Sequence, residues 1–281
     1  MDDFPSNQFA PAFMCVSLYS NPMPVARQYI FLSAVLALIA AAFVLPPIAE
    51  PTGYLEFADR RTGLGISNAA DVLSNLPFLI LGAWGMIQSL RSHPAWKLTD
   101  PIEIHSLRIF FAGIFATAIG SAYFHLDPSS DRLFWDRLPM TLAFMSLFAS
   151  LVGERIVLSS GPKMGARLLV PLLVAGASSV LYWRQTELEG AGDLRFYALV
   201  QFGPILLFPL LCSLFKPRYT RAWDLAWVFG FYALAKLLEV LDRPIFDFTQ
   251  LISGHTLKHL AAAGAIGMFL RHLVLRAPRQ T

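Results

Sequence analysis

The segment "ISGHTLKH" near the C-terminus places His255 and His259 four residues apart in otherwise apolar sequence. On a helix those two positions share one face, with Cβ atoms roughly 6 Å apart, so both imidazoles can bind one metal ion. The segment "AIGSAYFHLDPSS" adds Ser121 and His125, and "DRLFWDRLPM" adds Asp136. Three histidines and a carboxylate form a candidate metal site.

These residue types together indicate hydrolysis. Three imidazoles leave one coordination position open on a tetrahedral zinc ion, which binds a water there and lowers the pKa of that water toward about 7. A carboxylate beside the water, for which Asp136 is the candidate, accepts a proton and later donates it to a leaving group. Ser121 lies four residues before His125, and its hydroxyl would donate a hydrogen bond to a substrate carbonyl as negative charge develops there.

Apolar helices must position these residues. Of the 281 residues, 56% are hydrophobic and 15% are charged, with a mean hydropathy of +0.54, whereas soluble domains are about 25% charged. Runs of about 20 apolar residues meet the criterion for transmembrane helices, the structure that satisfies the backbone in lipid. The sequence therefore predicts an all-α, polytopic transmembrane helix bundle. Eight such runs occur, at roughly 29–48, 69–90, 105–125, 133–153, 165–183, 195–215, 221–241 and 254–275.

The distribution of basic residues predicts the orientation. With eight spans, both termini share a side with ten Lys and Arg residues, against six on the other side, so the positive-inside rule puts the termini in the cytoplasm. The end of the third span and the beginnings of the fourth and eighth spans then lie near the outer face. Because the candidate site residues are at these ends, they lie at one depth in the membrane. Because the net charge of +3 is dispersed between spans, no nucleic-acid partner is expected.

A second polar cluster, "LAKLLEVLDRP", lies on the seventh span. Lys236 and Glu239 are three residues apart and are expected to form an ion pair, because ionisable groups inside a membrane seldom stand alone. A proton or ion pathway is the alternative. Lys258, between the two histidines of the eighth span, is expected to snorkel toward the interface.

Four motifs resemble the alkaline ceramidases, over roughly residues 54–275: "DVLSNLPFLILG", "GSAYFH", "WDRLPM" and "GHTLKH". The resemblance implies a seven-helix, zinc-dependent membrane amidase that cuts ceramide into a sphingoid base and a fatty acid, in a superfamily that also contains adiponectin-receptor-like proteins. It implies His125, His255 and His259 as zinc ligands. It also implies that Asp136 positions or deprotonates the water and that Ser121 contacts the scissile carbonyl.

The sequence departs from the family in two places. Eukaryotic members carry an acidic calcium-binding stretch before the first core helix, and the corresponding region here has Arg60 and Arg61 among its oxygen-bearing residues, which oppose a divalent cation. Calcium is therefore at most a weak second metal beside zinc. Arg137 replaces an acidic residue of the family, which puts the substrate in question. The residues of the weak calcium site are Glu56, Asp59, Asn68 and Asp71.

The predicted organisation is an N-terminal cytoplasmic tail at 1–28, an extra helix at 29–48 and a ceramidase-like seven-helix domain at 54–275. The predicted function is hydrolysis of a ceramide-like N-acyl lipid that enters from the bilayer, with no protein partner and with a bacterial inner membrane as the expected location. Three alternatives stay open. They are a transporter or proton-coupled channel, a haem-binding electron carrier, and a receptor-like protein with a structural zinc.

Overall fold

A computed structural model describes residues 25–91, 93–98, 103–156 and 164–279. Throughout these ranges the regular secondary structure is helical, with only two isolated β-bridges. A short 3-10 turn covers Pro94–Trp96. The helices are α1 (Val25–Val44), α2 (Ala69–Leu73), α3 (Leu76–Leu90), α4 (Glu103–Leu126), α5 (Ser130–Arg155), α6 (Met164–Leu188), α7 (Arg195–Leu214), α8 (Ala222–Val240), α9 (Asp242–Thr249) and α10 (Gly254–Leu275).

A long helix lies at each of the eight apolar runs, and most of the bounds agree within three residues. The first run is displaced, since α1 begins at Val25, inside the predicted tail; residues 1–24 of that tail lie outside the described residues. The second run is divided into α2 and α3, because Pro77 has no N–H to donate to the carbonyl of Leu73. The amphipathic helix α9, none of whose residues is buried, was not predicted.

Four segments of the described chain are long and apolar enough to cross a membrane, a property typical of membrane proteins. Helices α5, α6, α8 and α10 fall outside that criterion, and their crossing of the bilayer remains a prediction. The crossing-competent segments are Val25–Val44, Ala69–Leu90, Glu103–Leu126 and Arg195–Leu214.

Small residues bring α4 and α5 close together. A Cβ atom at Gly113 would lie 2.9 Å from the backbone nitrogen of Ala143, and one at Gly120 would overlap the carbonyl oxygen of Trp135. Lipid is as apolar as the helix surface, so the hydrophobic effect does not drive helices together in a membrane. They commonly pack instead through small residues, which let their backbones come close. This contact fixes the end of α4 against the start of α5.

Helix α1 packs on α7, and most of its apolar side chains are exposed. Residues at the start of α7 hold the segment that follows α1. Leu194 donates its N–H to the carbonyl of Ile48 at 2.8 Å, and the Arg195 guanidinium donates to the carbonyl of Leu45. Burial would raise the pKa of the Asp193 carboxyl, but hydrogen bonds from Arg195, Tyr182 and the backbone of Ile48 outweigh it and lower the pKa to about 2. The ionised carboxylate therefore stabilises this junction.

An ion pair closes the end of the bundle that contains the start of α4. Arg276 contacts Glu103 at 2.5 Å, and its guanidinium lies 3.8 Å from the centre of the Tyr219 ring. The Tyr219 hydroxyl donates to the same carboxylate at 2.6 Å, and Arg276 also donates to the carbonyl of Trp96. Because both charged partners are buried, loss of either one would leave an uncompensated charge inside the protein.

The close contact between α4 and α5 predicts that Gly120→Ala destabilises the protein. Its new Cβ would meet the backbone of Trp135, which cannot move as a side chain can, and overpacking of this kind costs about 1–3 kcal/mol. The matched control is Gly267→Ala on α10, where nothing lies within 4 Å of a Cβ. Thermal unfolding in detergent, followed by tryptophan fluorescence, should show a lower midpoint for Gly120→Ala alone; equal midpoints would contradict the packing.

Candidate metal centre

Three histidine side chains converge where α4 ends and α10 begins. His125 lies in the last turn of α4, and His255 and His259 lie in the first two turns of α10. One ring nitrogen from each lies within 4.8 Å of those of the other two, and Nε2 of His125 is 3.2 Å from Nε2 of His255. All three rings are buried. Among the described residues they form the one group of three or more His, Cys, Asp or Glu side chains close enough to bind a metal ion.

The start of α10 is fixed by capping and by a glycine. Ser253 accepts the N–H of Thr256 at 3.0 Å, as an N-cap residue does. A Cβ at Gly254 would overlap the carbonyl of Leu238, so only glycine fits between α8 and α10 there. Asp242 accepts the N–H of His255 at 2.8 Å through one oxygen and the N–H of Ala58 at 2.9 Å through the other. These contacts set the position of His255 along the helix axis.

The tautomer of His259 is set by Ser74. The serine hydroxyl donates to the carbonyl of Asp71 at 2.8 Å, and its oxygen lies 2.7 Å from Nδ1 of His259. If the serine gives its one hydroxyl proton to the carbonyl of Asp71, Nδ1 of His259 must carry the hydrogen of this contact and donate it to the serine. Nε2 of His259 therefore keeps a free lone pair, the state that binds a metal ion.

Residues 68–75, which include the segment "DVLSN", contact both histidine-bearing helices. Asp71 accepts the hydroxyl of Thr256 at 2.6 Å, and Asn75 donates to the carbonyl of Asp71 at 2.9 Å. Asn68, just before α2, donates to the carbonyl of His125 at 2.8 Å. The break between α2 and α3 turns these polar groups toward the rings. Sequence reasoning missed Ser74 and Thr256; for Thr256 alone, a hydroxyl residue beside His255 in an apolar helix was a usable signal.

The ring of Phe57 covers the histidines. Its centre lies 4.7 Å from that of His125 and 4.5 Å from that of His255, both in edge-to-face geometry, and the side chain is 5% exposed. Phe78 contacts His259 from another direction. These rings limit the access of water to the three nitrogens from the sides that they cover.

Ser121 on α4 and Asp136 on α5 lie close to each other across the contact of the two helices. Ser121 is buried one helical turn before His125, and Asp136 is half-buried near the start of α5. Both residues line the same cavity as His259. The structure thus brings all five predicted site residues to one region.

A cavity of about 550 Å³ extends from these residues into the bundle, a volume within the range of small-molecule sites. Along α10 it runs from His259 to Phe269, ten residues or roughly 15 Å of helix. Its end near the histidines is polar, whereas its depth is lined by aromatic and aliphatic side chains. The deep lining includes Phe110, Phe144, Phe148, Phe229, Ile266 and Phe269.

Lys258 lines the cavity near the histidines, so the prediction that it snorkels is wrong. Its ammonium contacts Glu239 at 2.7 Å and lies 3.4 Å from Nε2 of His255. The predicted pair between Lys236 and Glu239 is confirmed, and Lys236 also lines the cavity. The periodicity of α10 could not distinguish a lipid-facing lysine from one that faces a cavity.

The four residues of the weak calcium site have other partners or face solvent. Asp59 is bound by the Arg61 guanidinium at 2.7 and 2.8 Å, and these hydrogen bonds hold the pKa of the Asp59 carboxyl below its usual value. Arg61 also donates to the carbonyls of Gln250 and Leu251. Asn68 and Asp71 are engaged near the histidines, as described above, and Glu56 is exposed. The guanidinium therefore lies where a calcium ion would have to bind Asp59.

No protein-family model and no curated protein sequence matches the chain. The likeness to the alkaline ceramidases therefore rests on the four motifs alone.

The histidine geometry predicts about one metal ion per chain. Two of its three nitrogen donors would be lost in the double variant His255→Ala/His259→Ala, so we expect that variant to lose the metal. Elemental analysis of the purified protein measures this directly. A metal content that is unchanged in the double variant would contradict the site.

The hydrogen bond from His259 predicts that Ser74→Ala weakens metal binding by roughly 10–100-fold, the usual effect of removing a group that orients a metal ligand. Ser89→Ala is the matched control, because Ser89 is equally buried in α3 but donates to its own helix, at the carbonyl of Met86. Competition with a chromogenic chelator gives both affinities. Equal affinities would show that Ser74 does not act on the ring.

Proposed function

We propose that the chain is a zinc-dependent membrane hydrolase that cleaves the amide bond of a ceramide-like N-acyl lipid, releasing a fatty acid and an amine base of the sphingoid type. The observation that carries the proposal is the position of the three histidines, Ser121 and Asp136 at the polar end of a deep apolar cavity. The donor set suits zinc, since imidazole is among its preferred ligands. The four motifs shared with the alkaline ceramidases support the same reaction.

Each side chain has a role in this reaction. Bound zinc would supply a Lewis acid and an acidified water. Asp136 would accept a proton from the attacking water, whose oxygen adds to the carbonyl carbon, and would give that proton to the amide nitrogen as the C–N bond breaks. Ser121 donates its hydroxyl hydrogen to the carbonyl oxygen as negative charge develops there. Ser74 holds His259 in the required tautomer, and Phe57 keeps bulk water from the rings.

The proposed arrangement in the membrane has a seven-helix core from α2 to α10 and α1 as an additional helix on its outside. Both termini lie in the cytoplasm, the site lies near the outer face, and the host is a bacterial inner membrane. The substrate enters sideways from the bilayer. Helices α7 and α8 both line the cavity that would hold the acyl chain, and they contact each other through the stacked rings of Phe208 and Phe229 and through a hydrogen bond from Gln201 to Tyr232.

Two of the three alternatives fit the geometry less well. A transporter needs a polar path, but the deep cavity is lined by phenylalanine, and Arg276 with Glu103 closes the far end of the bundle. A haem needs its two axial nitrogens on opposite faces of the porphyrin, and a separation of 3.2 Å between His125 and His255 leaves no room for it. A receptor-like protein with a structural zinc would retain the metal and form no lipid product.

Asp136→Asn should abolish turnover of N-acyl lipids while the metal stays bound, because the amide cannot accept the proton; positioned general bases contribute about 10²–10⁴-fold. Asp131→Asn on the same helix is the matched control, since Asp131 is exposed and pairs only with Arg184 at the surface. Release of fatty acid from ceramide and other N-acyl lipids, measured by mass spectrometry, gives the rates. A fully active Asp136→Asn would contradict the mechanism.

Ser121→Ala should lower the turnover number by about 10²–10³-fold, the usual effect of removing one donor to a developing oxyanion. Ser146→Ala is the control, because Ser146 is fully buried in α5 and donates to the carbonyl of Leu142. The same lipid assay applies. If both variants kept the wild-type turnover number, Ser121 would not contact the reacting carbonyl.

A further inference from the structure

The short helix α9 presents a different kind of side chain to each of its sides. Toward the protein, Asp242 accepts two backbone N–H groups, and the centre of the Phe246 ring lies 5.1 Å from the guanidinium of Arg61. Away from the protein, the side chain of Phe248 is 90% exposed, and that of Leu251, which follows the helix, is 77% exposed. The part of the chain that the structure describes therefore covers little of these two large apolar side chains.

The outward face of α8, the helix before α9, is apolar from end to end. Its three charged residues face inward, since Asp224 is buried and both Lys236 and Glu239 line the cavity. Every exposed position of the helix carries an apolar residue, and these positions recur at helical spacing along its whole length. Extended apolar surfaces of this kind mark a contact with lipid or protein. The larger exposed side chains are Trp223, Trp227, Leu234, Leu237 and Val240.

The length of α8 relates α9 to the thickness of a bilayer. The 19 residues of α8 extend roughly 28 Å at 1.5 Å per residue, close to the ~30 Å thickness of the hydrocarbon core. The helix is thus long enough to reach from one boundary of the core to the other. Only Leu241 separates α8 from α9. When α8 crosses the core, α9 lies at the boundary between the hydrocarbon and the lipid headgroups.

We infer that α9 is an interfacial helix that binds the bilayer surface, with Phe248 and Leu251 in contact with lipid chains and Asp247 in the aqueous headgroup layer. Amphipathic helices with aromatic and aliphatic residues on one face bind lipid in this way. Exposed apolar residues continue from α8 through Leu241 and Pro244 to Phe248, so the apolar surface of α8 extends onto α9. The inference concerns the membrane contact and holds whatever reaction the metal centre carries out.

The same helix is connected to the metal centre. Asp242, its first residue, accepts the N–H of His255 at 2.8 Å, and Arg61 donates to two backbone carbonyls just beyond its end. Phe57, which covers the histidines, lies four residues before Arg61. The position of α9 in the bilayer therefore sets the depth of the metal centre. On the proposed function, an amide that joins the acyl chain of a lipid to its polar part lies near this boundary and reaches the centre without leaving the bilayer.

The test measures the surroundings of two neighbouring positions on α9. Cys15→Ser/Cys212→Ser removes the two native cysteines, and Phe248→Cys or Asp247→Cys then adds one site for a nitroxide spin label. Both positions are exposed, so neither label displaces packed side chains. In vesicles of phosphatidylcholine and phosphatidylglycerol, electron paramagnetic resonance measures the collisions of each label with oxygen, which concentrates in lipid, and with chromium oxalate, which stays in water.

We expect the ratio of oxygen to chromium collisions to be several-fold higher at position 248 than at position 247. Similar ratios would overturn the inference, because α9 would then lie wholly in water or wholly in the hydrocarbon. A label at position 248 that neither reagent reaches would also overturn it, since protein, such as a second copy of the chain, would then cover that face. The two labelled proteins share every substitution but one, so a folding effect of the shared substitutions acts on both alike. None of these outcomes depends on hydrolysis.

Discussion

The meeting of three imidazole rings from two helices is the constraint on which the rest of the structure depends. His125 is in place only if α4 ends where it does, and the contact of Gly120 with the backbone of Trp135 fixes that end against α5. The histidines of α10 depend on the Ser253 cap and on Gly254. Side chains of residues 68–75 connect both helices: Asn68 bonds to the carbonyl of His125, and Asp71 and Ser74 contact Thr256 and His259. The break before Pro77 is therefore part of the site.

Two buried ion pairs join distant parts of the chain. Arg276 pairs with Glu103, and Arg137 with Glu50, across 173 and 87 residues of sequence. In an apolar interior such pairs contribute little net stability, but the loss of one partner is strongly unfavourable. They consequently specify which helices are neighbours. The three groups around Glu239 differ, because two cations share one anion there.

The helices and the principal site residues were predictable from sequence, because apolar runs of about 20 residues and the His-x-x-x-His spacing are local patterns. The division of the second run, the position of α9 and the role of Ser74 were not. Ser74 acts on His259 from 185 positions away, and no local pattern contains that pairing. The sequence did not show that the Lys258 side chain points into the cavity. A helix that is apolar on every side has no hydrophobic periodicity, and such a periodicity is what identifies the face of a helix toward a cavity.

Arg61 gives the loops before α2 and before α10 a cation that belongs to the chain. Its guanidinium binds the carboxylate of Asp59 and the carbonyls of Gln250 and Leu251, which are oxygen ligands of the kind that a dissolved Ca²⁺ ion would otherwise bind. A covalently attached cation cannot dissociate, and no chelator removes it. The contacts that Arg61 makes in these loops therefore need no divalent ion from the surrounding solution.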